Sequence, residues 1–163
     1  MILRQQYALT QRSREALLSF IESEVAEQLN TPSYNDKSIR HLLEHNAGCY
    51  LFWLAYFALQ LPTGSIKEEG FTTMPEIRRL YAKVDEIMMA FLDKFGDTPD
   101  TPITHVPDAW GARTATPLQL FTHVVTHEFH HKGQILLLCR QLGHIPPDTD
   151  ISISFSHEGN PAG

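Results

Sequence analysis

Four stretches of the chain repeat their apolar residues at the spacing of an amphipathic helix. The first runs from about Leu3 to Leu29, with Leu17, Leu18, Phe20, Ile21 and Val25 on one apolar face. Arg12, Arg14, Glu22 and Glu24 fall on solvated faces, and Asn30, Thr31, Pro32 and Ser33 end the pattern. The second starts near Ser38, which suits an N-cap, and runs to about Leu59. Its N-terminal half mixes Ile39, Leu42 and Leu43 with Arg40, His41 and Glu44. Its C-terminal half is apolar nearly all round, which predicts the most buried element of the fold. Tyr50, Phe52, Trp53, Tyr56 and Phe57 are read there as core, with a subset lining a pocket, and Pro62 and Gly64 as the stop.

The third helix opens on Thr73, with Pro75 and a capping-box Glu76. Ile77, Leu80, Tyr81, Val84, Ile87, Met88, Phe91 and Leu92 then repeat at helical spacing up to Phe95 and Gly96. The fourth spans Thr116 to Gly143. Thr116 caps it, Pro117 fits its first position and Gln119 completes a capping box. Gly143 supplies a left-handed stop after a last turn containing Arg140. A break from Gly96 to Ala115, punctuated by Pro99, Pro102, Pro107 and Gly111, separates the third and fourth helices. A loop of this length is either functional or an anchored crossover. His105, Trp110 and Arg113 are the residues there placed to reach a ligand. After Gly143, Pro146 and Pro147 enforce an extended path. Ile151, Ile153 and Phe155 alternate with Ser152 and Ser154, which predicts a strand-like tail laid across an apolar surface. Residues from His157 to Gly163 are expected to fray. The fold class is therefore all-α: a four-helix bundle in a single domain over residues 1–163, with a long crossover and an extended tail.

Composition narrows the partners. A chain of 163 residues that is 42% hydrophobic suits one globular domain with its own core. A net charge of −6 argues against a nucleic-acid surface. The longest uncharged apolar run, Ala47 to Leu61, is shorter than the ~20 residues of a spanning helix and holds Gly48 and Gln60. No membrane partner is expected, and no secretory leader pattern opens the chain. Cys49 and Cys139 are too few for a disulfide scaffold, so the cytoplasm is the expected compartment.

The chemistry is concentrated on the fourth helix, which carries His123, His127, His130 and His131. Residues four apart on a helix are about 40° apart around the axis and about 6 Å along it. His127 and His131 can then converge on one ion. The other reading is a polar face or a set of hydrogen-bonded core histidines. His123 lies one step earlier on a drifting stripe, and His130 is turned about 100° from His131. Both are read as packing or orienting residues. In a helical bundle a third ligand comes from a facing helix. His41 and His45 are the candidates, and His45 is favoured because it stands just before the apolar half of its helix. Cys49, one turn further on, lies on roughly the same stripe. It is read first as a small core hydrophobe and second as a residue near the ion. Gly133 inside the helix suggests close approach of a neighbour, and Gln134 can orient a ligand histidine. Three protein ligands leave positions open for water, thiol or substrate. All-nitrogen ligation suits zinc, nickel, iron or cobalt without selecting among them.

The run His127-Glu128-Phe129-His130-His131 also satisfies the zinc-peptidase pattern H-E-x-x-H, with Glu128 as general base. Its context is poor. Gln134 and Leu137 stand where the extended pattern has Gly and His, no strand-rich half is present, and only His157 or Glu158 follows as a further ligand.

The segment from His123 to Gln134 resembles the last-helix signature of the DinB-like (DinB/YfiT) superfamily of damage-inducible, metal-binding four-helix bundles. Ser38 to His45, with Trp53 two turns on, is similar to that family's second helix, and Leu142 to Asp150 to its tail. Lys132 stands where the family often has Arg. The resemblance implies an up-down bundle, a divalent ion held by His45, His127 and His131, and in many members a homodimer. It also implies a metal-dependent enzyme acting on a small molecule, either a thiol S-transferase using a low-molecular-weight thiol or a hydrolase. A non-catalytic metal- or ligand-binding stress-response protein is the second reading, and the peptidase the third.

Overall fold

A computed structural model describes residues 2–32, 36–62, 71–106 and 111–155. Ser33, Gly64, Pro107, Trp110 and residues 157–163, Glu158 included, lie outside the described residues, as do the side chains of Ile153 and Ser154.

Helix α1 (Ile2–Phe20) continues as a π turn over Ile21–Val25 and a 3-10 turn over Ala26–Gln28. Helix α2 (Ile39–Tyr50) is capped by Ser38, whose Oγ accepts from the His41 amide at 3.3 Å. It runs on as a π-helix over Leu51–Ala58. Its end is made by Gln60 in the left-handed region (φ 56°), with the Leu61 amide donating back to the Ala55 carbonyl at 3.0 Å. That turn comes before the expected stop at Pro62 and Gly64. Helix α3 (Met74–Phe95) starts where the Glu76 carboxylate accepts from the Thr72 and Thr73 amides at 2.8 and 2.9 Å. Helix α4 (Pro117–Gln141) starts on the reciprocal Thr116–Gln119 capping box. Gly143, at φ 92°, turns the chain away after it. The sequence-based boundaries hold because caps are local chemistry.

Helix α2 packs on α3 and α4, and α1 packs on both as well. Tyr7, Tyr50, Leu54, Phe57, Met88, Phe91 and Phe121 are fully buried between them. Burial of side chains of this size contributes about 1.5–3 kcal/mol each. Among the described residues no helix is long and apolar enough to cross a membrane.

The crossover differs from an irregular loop. It folds into an antiparallel hairpin of β1 (Ile103–His105) and β2 (Arg113–Ala115), with Ile103 opposite Ala115 and His105 opposite Arg113. The Thr104 and Thr114 hydroxyls share a hydrogen bond of 2.8 Å across it. The tail differs too. Instead of a strand, Ile151–Ser154 makes a 3-10 turn against α1. Just before that turn the tail is tied down through its backbone. The Thr149 carbonyl accepts from Ser13 Oγ at 2.6 Å and from the buried Lys132 Nζ at 2.7 Å, and Lys132 also donates to Ser13 at 2.9 Å.

Among the described residues a Cβ built on Gly133 meets nothing within 4 Å, so no described helix makes the expected close approach there. Glycine inside a helix costs on the order of 1 kcal/mol relative to alanine. Gly133→Ala is therefore expected to raise stability by about 0.5–1 kcal/mol in chemical denaturation. A loss of stability would reveal a neighbour that the fold does not show.

Candidate metal centre

Two helices supply the cluster. On α4, His127 and His131 stand one turn apart with ring centroids 4.4 Å from each other. From α2, His45 reaches within 4.7 Å of the His131 ring and 5.0 Å of the His127 ring. One ligand nitrogen from each of the three lies within 4.8 Å of the others. His131 is buried, His127 half-buried and His45 exposed, so the cluster opens to solvent on the α2 side.

The nitrogens suit a cation. His127 Nε2 is buried with no hydrogen-bond partner among the described residues, a costly condition for a polar atom unless something binds it. Burial holds the His127 imidazole down at about pKa 4, helped by His131, His45, His123 and His130 around it. The ring is thus neutral at pH 7 and offers a lone pair. Burial also lowers the pKa of His131, against an opposing hydrogen bond from Gln134. Gln134 Oε1 lies 2.7 Å from His131 Nδ1. A carbonyl oxygen only accepts, so Nδ1 carries the proton and Nε2 keeps the lone pair. The Gln134 amide nitrogen in turn lies 3.2 Å from His130 Nε2. Gln134 therefore links His130 to His131 and fixes the tautomer of the latter, a common arrangement beside metal-binding imidazoles.

His41 does not join the cluster. Its Nδ1 accepts from the Ser38 amide at 3.2 Å as part of the α2 cap, and its Nε2 lies 3.0 Å from Arg40. His123 is exposed, with its ring edge-on to Trp53 at 5.3 Å and 5.8 Å from His127. Cys49 Sγ lies 3.6 Å from His123 Nε2. Burial pushes the Cys49 thiol up to about 12, so without a cation beside it the group is protonated. Trp53 also meets Phe57 at 5.5 Å, and Phe57 meets His105 of the hairpin at 5.9 Å. An aromatic wall thus runs from β1 to the histidines. Arg113 sits across the hairpin from His105. A separate cavity of about 520 Å³ between α1 and α3 is lined by Arg14, Arg78, Tyr81 and Asp85 among others, and by none of the histidines.

Glu128 lies in the interior. Arg14 Nε and Nη2 each donate to one of its oxygens at 2.8 Å, and the Tyr50 hydroxyl donates to Oε2. Arg14 Nη1 also donates to Asp85 at 2.7 Å, Nη2 to the Tyr7 hydroxyl at 3.2 Å, and the guanidinium covers the Tyr81 ring at 4.9 Å. With both oxygens engaged, Glu128 has the surroundings of a structural ion pair, not of a general base. The peptidase reading is left without its proton acceptor. Arg14, expected on a solvated face, is 4% exposed. Its place on the stripe of Tyr7, Leu17 and Leu18 was the available signal, overridden by its charge. This network joins α1, α2, α3 and α4, and by fixing the rotation of α4 it aims His127 and His131 at α2.

Comparison with known proteins bears out the resemblance to the DinB-like superfamily. The model of the DinB family matches residues 2–159. The chain is similar to Protein DinB of Bacillus subtilis (strain 168), at 26% identity over 123 residues, covering 71% of this chain and 71% of that protein. A family match over nearly the whole length, on a helical fold with clustered histidines, places the chain in the DinB family.

Proposed function

We propose that the chain is a metal-dependent enzyme acting on a small molecule, of the thiol S-transferase or hydrolase type. His45, His127 and His131 hold its divalent ion. The observation that carries this is a group of three ligand nitrogens within 4.8 Å of one another, with a buried His127 Nε2 that has no partner among the described residues. Such an ion keeps coordination positions free and lowers the pKa of a water or thiol toward neutrality, supplying a nucleophile. Zinc, nickel, iron and cobalt all suit three imidazoles. Gln134 holds His131 in its tautomer, and the open side at His45 gives a substrate its approach. The half-buried Trp53 ring, edge-on to His123, offers an apolar surface to one substrate, with a low-molecular-weight thiol as the other. The same reading takes the fold as an up-down four-helix bundle, one domain over residues 1–163, working in the cytoplasm as a homodimer. It requires neither nucleic acid nor membrane.

A second reading is a non-catalytic metal-binding protein. The exposure of His45 favours it, since catalytic sites commonly exclude water. Removing metal with a chelator and restoring zinc, nickel, iron or cobalt separates the two. Low-molecular-weight thiols with electrophilic partners, and simple esters, serve as substrates. Turnover is expected to fall to the uncatalysed rate on stripping and to return with one of the metals. Turnover that survives stripping would sink the enzyme reading. Stoichiometric metal without any reaction would leave the second one.

A further inference from the structure

We propose that Cys49, His123 and His127 form a second ion position, one thiolate and two imidazoles, which competes with the three-histidine position for His127. This rests on the proposed function only in sharing that residue. The three donor atoms lie within 4.8 Å of one another, a bound the first group also meets.

The geometry follows from the packing of α2 against α4. His45 meets His131 and His127. One turn later on α2, Cys49 meets His123, which stands one turn earlier on α4. Side chains four apart therefore form successive rungs between two helices that run in opposite directions. His127 sits between the rungs and belongs to both. The next rung is closed by Trp53, whose ring packs edge-on against His123. Cys49 is half-buried and has no disulfide partner, so its sulfur is available to a cation.

The donor sets differ in softness. Three imidazoles suit borderline divalent ions, whereas a thiolate draws softer ones such as Cd²⁺ and Cu⁺ and also suits Zn²⁺. Binding at the second position forms an ion–sulfur bond and releases the thiol proton to solvent, with no change of oxidation state. The lone pair at His127 Nε2 serves one ion at a time, so the positions exclude each other and the chain carries one ion. Soft ions would occupy the sulfur rung and withdraw His127 from the nitrogen rung.

Co²⁺ is the probe, added under reducing conditions to the metal-free full chain. A thiolate ligand gives a sulfur-to-cobalt charge-transfer band in the near ultraviolet, and an all-imidazole site gives none. His45→Ala is expected to bind one Co²⁺ with the band. Cys49→Ser is expected to bind one Co²⁺ without it, and the double variant to bind none. Competition with Cd²⁺ should displace Co²⁺ from wild type one for one. His45→Ala that binds Co²⁺ without the band, or a band that survives Cys49→Ser, would overturn the proposal. So would two ions per wild-type chain. Wild type that binds one ion while His45→Ala binds none would overturn it and leave the three-histidine reading standing. No binding by either would sink both.

Discussion

Glu128→Ala is expected to lower the unfolding free energy by about 3–5 kcal/mol, the usual result of removing one partner from a buried ion pair. Arg14 and Glu128 are 4% and 5% exposed, and Arg14 gives Glu128 two of its hydrogen bonds. Alanine would leave a buried guanidinium with Asp85 as its one carboxylate partner among the described residues. It would also leave the Tyr50 hydroxyl without its acceptor. For a chain of this size such a loss lowers Tm by on the order of 10 °C. Replacing both members by apolar residues of similar volume should recover most of it, since the desolvation cost of both charges disappears as well. Urea denaturation of wild type, Glu128→Ala and the Arg14→Met, Glu128→Met double variant would decide the matter. A single variant within about 1 kcal/mol of wild type would show that the network adds little to the fold.

His127→Ala is expected to lose the bound ion altogether. Wild type should carry about one divalent ion per chain, and both His45→Ala and His127→Ala none at the nitrogen rung. At an ion concentration 100 times Kd, binding stabilises the fold by about 2.7 kcal/mol, and His127→Ala should show none of that gain. Without metal the variant should be at least as stable as wild type, because it deletes a buried nitrogen that has no partner. Gln134→Ala should keep the ion but bind it about 10–100-fold more weakly, because His131 loses the carbonyl that fixes its tautomer. The pH dependence has a definite sign. The folded pKa of His127, about 4, lies below its ordinary 6.5. The unfolded chain therefore takes up the proton first, and metal-free stability falls as pH drops from about 6.5 toward 4. Elemental analysis and thermal melts with and without metal test these points together. Full metal content in His127→Ala would refute the assignment.

Helix boundaries were legible because their signals are local. Ser38, Thr73, Thr116 and Gly143 act through residues within a few positions of themselves. The pairing of His127 with His131 was legible for the same reason, since helix geometry alone sets them side by side. The approach of His45 depends on how α2 packs, which no spacing along one helix encodes. Its place at the edge of the apolar half was only a hint. Arg14 reads as solvated in the sequence because its partner Glu128 lies 114 positions away. A charge looks solvated until its counterion is known. The hairpin is not legible because strands of three residues are too short to show alternation. The change of pitch after Tyr50 left no trace either, for a stretch apolar on every side has no face whose drift could reveal it.

That change of pitch bears on how this chain is compared with others. Through Tyr50 the second helix keeps α spacing, and from Leu51 to Ala58 it follows π spacing, with the Leu59 amide bonded five residues back to Leu54. A π stretch accommodates more residues per turn than an α-helix of the same length. His45 and Cys49 precede the change, whereas Trp53 and Phe57 fall within it. An alignment drawn straight through both parts against a relative with an unbroken α-helix would shift one group around the axis relative to the other. Equivalences for the ion-facing residues and for the aromatic ones have to be made separately, with room for a gap in residues 51–58.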